Sequence, residues 1–112
     1  METKLTRKPY LVSYKFNASR ENIYEYTLDF FGYFQAEHYE QKIRKSLDTL
    51  PEFYMLYPEC RYLATKNRMY RNIIIDSHLI IYRITNVCIE VLDIIHSASS
   101  INKIKNTRRI HI

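Results

Sequence analysis

Arg71 and Arg83 are long cations inside β-rich runs, Met69 to Ile75 and Leu79 to Ile84. On an uncovered sheet face such guanidiniums reach toward a nucleic acid or an acidic target. The alternative is a solvent-facing arginine in a cross-strand pair with Glu90 or Asp93. His96 follows a third β-rich run, Val87 to Ile95. An imidazole there titrates near neutral pH and can move a proton, or else it holds a structural hydrogen bond. Tyr70 offers a ring that can stack on a base or on a partner's ring. Lys103, Lys105, Arg108 and Arg109 crowd the 101–112 stretch with no acid among them. That stretch suits a polyanion or an acidic protein, and equally a solvated tail.

Other candidates have plainer readings. His78 suits a turn, His38 a solvated helix face, and Tyr82, alternating with Ile80 and Ile84, a core or sheet-surface position. Cys60 and Cys88 stand far apart, with no Cys-x-x-Cys and no His at zinc spacing, so they read as reduced buried thiols. No metal and no cofactor are expected.

These residues need a scaffold, and composition bounds it. The 112 residues suffice for one domain, and 46% of them are apolar, enough to bury a core without metal or disulfides. The excess of 17 Lys and Arg over 12 Asp and Glu is uneven: 1–16 is basic, 17–50 mildly acidic and 101–112 basic. The opening residues, Met-Glu-Thr-Lys-Leu-Thr-Arg-Lys, lack the apolar run of a secretory signal, and no apolar run exceeds strand length. The expectation is a cytoplasmic protein with no membrane span.

Tyr10, Val12, Tyr14 and Phe16 alternate with Leu11, Ser13 and Lys15, the period of a half-buried strand. Ser19 is the expected N-cap of a helix with Glu21 in its first turn. Ile23, Tyr26, Thr27, Phe30, Phe31 and Phe34 recur at helical spacing until Gly32, the only glycine, breaks the helix. Ala36, Tyr39, Ile43, Leu47 and Leu50 form a second stripe that Pro51 is expected to end. The stretch from Pro51 to Lys66 reads as a loop anchored by Phe53, Tyr54 and Tyr57. The three β-rich runs, separated by Asp76-Ser77 and Thr85-Asn86, read as an antiparallel meander. The order implies an α+β domain with a helical hairpin packed on a mainly antiparallel sheet. Its expected organisation is a flexible basic N-terminus (1–9), the domain proper (10–100) and a basic C-terminal tail (101–112).

Several of these segments resemble the RelE/ParE superfamily of toxins from type II toxin–antitoxin systems. Ser19 to Tyr26 is similar to the family's first helix, and Tyr39 to Leu50 with Pro51 to its second. Tyr70-Arg71, His78 to Ile84 and Ile89 to His96 are similar to ParE-like strands, which carry tyrosine–arginine pairs and a closing histidine. The resemblance implies the order β-α-α-β-β-β and a toxin neutralised by a cognate antitoxin. ParE-like members poison DNA gyrase, whereas RelE-like members enter the ribosomal A site and cut mRNA.

The nuclease branch places an arginine where this chain has Leu79, and acid–base groups where it reads Ser97-Ala98-Ser99-Ser100. Ser97 and Ser99 also replace the glycine and arginine that commonly follow the ParE histidine, and Lys103 and Lys105 are available to supply the missing charge. The expectation is a non-catalytic toxin nearer ParE. It would use Tyr70, Arg71, Arg83 and His96 toward its target, and Lys103, Lys105, Arg108 and Arg109 toward an antitoxin or polyanion. The alternatives are a ribosome-dependent mRNA endonuclease using Arg71, Arg83 and His96, and an inactive member that has kept the fold.

Overall fold

A computed structural model describes residues 6–112. The expected flexible N-terminus falls partly, at residues 1–5, outside the described residues. Residues 6–9 are tied down. Lys8 donates its backbone N–H to the Pro51 carbonyl and its Nζ to that of Thr85, and Thr6 O accepts from the Tyr54 hydroxyl at 2.6 Å.

The elements are β1 (Tyr10–Val12), α1 (Tyr14–Phe31), α2 (Tyr33–Phe53), β2 (Tyr70–Ile75), β3 (His78–Ile84), β4 (Ile89–His96) and α3 (Ile101–Asn106), followed by a 3₁₀ turn at Thr107–Arg109. The sheet order is β1-β4-β3-β2, with β1 parallel to β4 and the other pairs antiparallel. This is the α+β arrangement the sequence implied.

Two boundaries differ from expectation. β1 stops at Val12, because Ser13 and not Ser19 caps α1. The Ser13 hydroxyl accepts the Phe16 N–H at 2.8 Å and donates to the Leu92 carbonyl at 2.5 Å. The alternation of Tyr14 and Phe16 therefore belongs to a helix, with Tyr14 outside and Phe16 fully buried. Pro51 does not end α2, which runs on to Phe53. A proline that begins the last turn forfeits one bond to the carbonyl four residues back and leaves the rest of the helix intact. Gly32 does separate the helices. Its φ of 89° is open to glycine at little cost, and there its N–H closes α1 on Leu28 O while its carbonyl accepts from Ala36.

The hairpin covers one sheet face. Phe16, Ile43, Leu47 and Leu50 pack on Ile73, Ile75, Ile80, Tyr82, Ile89, Val91 and Ile94. Arg20 and Glu40 tie the helices together, as do the Tyr24 hydroxyl and Glu37. The opposite face is covered too, contrary to the open face expected for the strand arginines. Cys60 and Leu63 from the 54–69 loop, with Ile104 from α3, pack on Ile81, Leu92 and Ile95. What read as a tail is a helix at Ile101–Asn106, capped by the Ser100 hydroxyl on the Lys103 N–H.

Ser13 joins the helix start to the middle of β4, so its loss removes a cap and leaves a buried carbonyl unpaired. Ser13→Ala is expected to cost about 1–3 kcal/mol in urea unfolding. Tyr14→Ala, at a side chain that is 92% exposed, should stay within about 0.5 kcal/mol.

Candidate functional site

The predicted target-binding residues separate into two clusters at opposite ends of β4. Arg83 pairs in register with both Tyr70 and Glu90, whereas His96 pairs with His78. Glu90 and His96 are six residues apart along the strand, about 20 Å of extended chain.

At one end Arg83 is satisfied from several sides. Its Nε donates to Glu90 at 2.7 Å, its Nη1 to the Tyr70 hydroxyl at 3.4 Å and the Arg108 carbonyl at 3.2 Å, and its Nη2 to the Ile110 carbonyl at 3.1 Å. Its guanidinium also sits 5.7 Å from the Tyr70 ring centroid. The cross-strand pair with Glu90 is therefore real, but the side chain is only 12% exposed and anchors the C-terminal segment. Arg71 is buried outright. It donates to the carbonyls of Arg68 at 3.1 Å and of Met55 and Tyr57 at 2.9 Å each, holding the 54–69 loop against the sheet. Neither arginine projects from a bare face: Arg71 lies on the hairpin side with Ile73 and Tyr82, beneath the start of the loop, and Arg83 lies on the opposite side with Tyr70, beneath the C-terminal segment.

At the other end β3 and β4 present a histidine pair. The His78 and His96 rings lie 5.5 Å apart, and the Tyr39 hydroxyl sits 2.6 Å from His78 Nδ1 and donates to the Ile75 carbonyl at 2.9 Å. With the phenol hydrogen on Ile75, His78 Nδ1–H is the donor to the phenol oxygen. Burial, and then the charge of His96, hold the His78 pKa below its ordinary value, with Asp76 opposing them. Burial and the Asp76 charge push the Tyr39 phenol up to about 12. Both groups are thus neutral near pH 7. His96 is exposed, yet its Nδ1 accepts the Ala98 N–H at 3.0 Å. This arrangement suits hydrogen-bonded structure better than proton transfer.

The pair lines one wall of a groove of about 900 Å³, whose other wall is the hairpin: Ile23, Tyr26, Thr27, Phe31 and Tyr39. The groove continues into the hairpin tip, where Tyr26, Phe30, Phe31, Tyr33 and Phe34 are 59–86% exposed. The Tyr26 ring stands 4.7 Å from Phe30 and 6.4 Å from Phe31. The predicted helical stripe therefore ends in exposed rings, although Ile23 packs against the core. The sequence signalled its apolar character but not that the sheet ends short of it.

Lys103, Lys105, Arg108 and Arg109 are all exposed, and none makes an ion pair among the described residues. Of two groups the sequence reading named, Cys60 is the buried free thiol expected, and Asp93 forms no arginine pair among the described residues. Asp93 is buried beside a β-bulge, where burial raises its pKa while Ser19, Ile94, Lys15 and Lys103 oppose that rise. Burial, with the Glu59 charge, pushes the Cys60 thiol up to about 11, so it is an inert thiol. Leu79 packs beneath α3, and the 97–100 run turns the chain into that helix. Among the described residues no cluster of His, Cys, Asp or Glu could hold a metal ion.

Two measurements test these roles. Arg71→Met, which strands three carbonyls, should destabilise the fold by about 2–4 kcal/mol. Arg83→Ala should instead release the C-terminal segment and speed tryptic cleavage after Arg108 and Arg109 severalfold. Because the folded pKa of His78 is depressed, its neutral form favours the fold above the unfolded value near 6.5, and that contribution is lost as pH falls through it. The urea midpoint should therefore drop between pH 7.5 and 5, and drop less in His78→Gln.

Comparison with known proteins agrees with this architecture. No curated protein matches the sequence. Among solved structures, a chain described as "Chromosomal ParDE TA system from P. aeruginosa" superposes with a TM-score of 0.67 at 16% identity, covering 82% of this chain and 98% of that one. At that identity the likeness speaks for the fold alone. The family described as "ParE toxin of type II toxin-antitoxin system, parDE" matches residues 9–101, from just before β1 to the start of α3. With sheet, hairpin and meander all inside that match, the chain belongs to the ParE toxin family of type II toxin–antitoxin systems, in the ParE branch of the RelE/ParE superfamily.

Proposed function

We propose that the protein arrests growth without catalysis, by binding an essential target, DNA gyrase in keeping with its ParE kinship, and that a cognate antitoxin neutralises it by covering the groove and hairpin tip. The observation that carries this reading is the aromatic tip. A covered aromatic side chain buries about 150–250 Å², so five rings at these exposures offer roughly 700 Å². Single-chain proteins rarely expose contiguous apolar patches above about 300–600 Å², and a standard interface takes about 800 Å² from each partner. The groove beside the tip suits an amphipathic helix whose apolar face meets Tyr26, Phe31 and Tyr39. Glu25, Asp29 and Glu37 border the rings, which favours lysine or arginine flanking that apolar face.

A nuclease would need Arg71, Arg83 and His96 at one phosphate. They lie at opposite ends of the sheet, and the two arginines are engaged with backbone carbonyls. General acid–base help is worth about two to four powers of ten in rate, and no such constellation is assembled here.

Controlled expression tests the reading. Growth should stop, plasmid supercoiling should fall, and primer extension should find no discrete cuts within codons. Co-expression of the adjacent antitoxin should restore growth. Tyr26→Ala with Phe31→Ala should weaken antitoxin binding at least tenfold while the thermal midpoint moves little. Normal growth at a verified soluble level would indicate an inert member, and codon cuts abolished by His96→Ala would establish the nuclease.

A further inference from the structure

The charges are segregated between the two sheet faces. The two hairpin helices carry seven carboxylates, Glu21, Glu25, Asp29, Glu37, Glu40, Asp48 and Glu52, against five cations, Lys15, Arg20, Lys42, Arg44 and Lys45, a mildly acidic balance. On the loop and strands toward the other face the carboxylates are already engaged: Glu59 is paired with Arg68, Glu90 with Arg83, and Asp93 is buried. That leaves Arg61, Lys66, Lys103, Lys105, Arg108 and Arg109 exposed, with no ion pair among the described residues. They share one surface, because Cys60 and Leu63 pack in the same cluster as Ile104.

Local structure aims the cations outward. Ile104 and Thr107 are buried and Ile110 is half-buried, a spacing of three that turns Lys103, Lys105, Arg108 and Arg109 to solvent. The Arg83 bonds to the Arg108 and Ile110 carbonyls fix the backbone that carries them. The four therefore stand on an ordered strip roughly 10 Å long. Duplex DNA carries one phosphate per about 1.7 Å of axis, so a strip of that length faces several phosphates at once.

We propose that the face formed by α3, the Thr107–Arg109 turn and the 60–66 segment binds the phosphate backbone of duplex DNA. A protein partner draws its affinity from buried aromatic or apolar anchors, and these are concentrated at the hairpin. The exposed aromatic on the cationic face is Tyr62, which Arg61 covers with its guanidinium 5.3 Å from the ring centroid. Single strands are held largely by stacking on open rings, so duplex is the better fit. The proposal is confined to backbone contacts, which position a protein on the duplex without reading its sequence. The site needs neither the hairpin groove nor the identity of the toxin's target.

Fluorescence anisotropy with a labelled 20-base-pair duplex of random sequence provides the test. Binding should be of micromolar order at 50 mM KCl, with log K falling against log salt at a slope of about −3 to −4, as for four neutralised phosphates. Lys105→Ala with Arg108→Ala and Arg109→Ala should reduce that slope by about three and weaken binding more than tenfold at 100 mM, with an unchanged thermal midpoint. Arg44→Ala with Lys45→Ala on α2 should bind as the parent does, and so should the Tyr26→Ala, Phe31→Ala variant, whatever its antitoxin affinity. The proposal is overturned by no binding at 50 mM, by a salt-independent constant, by equal loss in the α2 variant, or by tighter binding to a single strand or an RNA duplex. Competition by a polyglutamate 20-mer equal to that by unlabelled DNA would assign the face to an acidic protein instead.

Discussion

The central strands of this sheet are apolar on both sides, and such a sheet can leave neither face to water. In β3 the consecutive residues Ile80, Ile81 and Tyr82 are all fully buried, although neighbours along a strand point to opposite faces. In β4 Ile89 and Val91 face the hairpin while Leu92 and Ile95 face α3. Two covers are required. The first is regular, since the hairpin satisfies its own backbone. The second is made of irregular chain and a short helix, whose backbone groups need partners from elsewhere. Arg83 supplies several of those partners by holding the C-terminal turn, while Arg71, on the hairpin side beside Ile73, holds the loop where it leaves α2. A buried guanidinium is costly unless its donors are bonded, and here three loop carbonyls, or a carboxylate with two carbonyls, meet that need.

This constraint was visible in the sequence and explains what a reading by alternation misses. The run Ile89-Glu90-Val91-Leu92-Asp93-Ile94-Ile95 is nearly continuous in apolar residues, the mark of a strand covered on both sides. Treating the arginine-bearing strands as one-sided put Arg71 and Arg83 in solvent. The element order, the break at Gly32, the hairpin and the meander were legible, because glycine, turn residues and periodicity are local signals. The capping serine was not, since Ser13 and Ser19 are equivalent by type and only the distant Leu92 carbonyl distinguishes them. The role of the 54–69 loop was hidden for the same reason, its partners being the edge of β2 at Tyr70, Arg71 and Asn72 and the Tyr82 hydroxyl.

The helix stripes show a different limit. Periodicity reports that a face is apolar, not what covers it. Along α2 the stripe meets the sheet at Ile43, Leu47 and Leu50, but toward Gly32 both helices run past the strands, and the same pattern ends in Phe30, Phe31 and Phe34 exposed. The 21 residues of α2 extend about 32 Å, farther than any strand, since the six to eight residues of β2, β3 and β4 extend about 20–26 Å, so the hairpin tip overhangs the sheet. The candidate site was legible by residue type at His96 and at the terminal cations, and illegible where it depended on where the sheet stops.

Taking the strand arginines inside also determines the outer electrostatics. Glu90 and Glu59 are consumed by Arg83 and Arg68, so the face beyond the sheet keeps its cations unopposed, while the acids gather on the hairpin. The hairpin, sheet and α3 are stacked layers, and layers pack about 10 Å apart, so the outer surfaces stand roughly 20 Å from each other. At physiological salt the screening length is about 8 Å, and fields over such a separation are largely independent. A partner at the aromatic tip therefore senses an acidic, ring-rich surface, and one at α3 senses a basic, ring-poor surface. One small domain can hold both without either ligand altering the other through space, so coupling between them would have to travel through β3 and β4, the strands that both covers share.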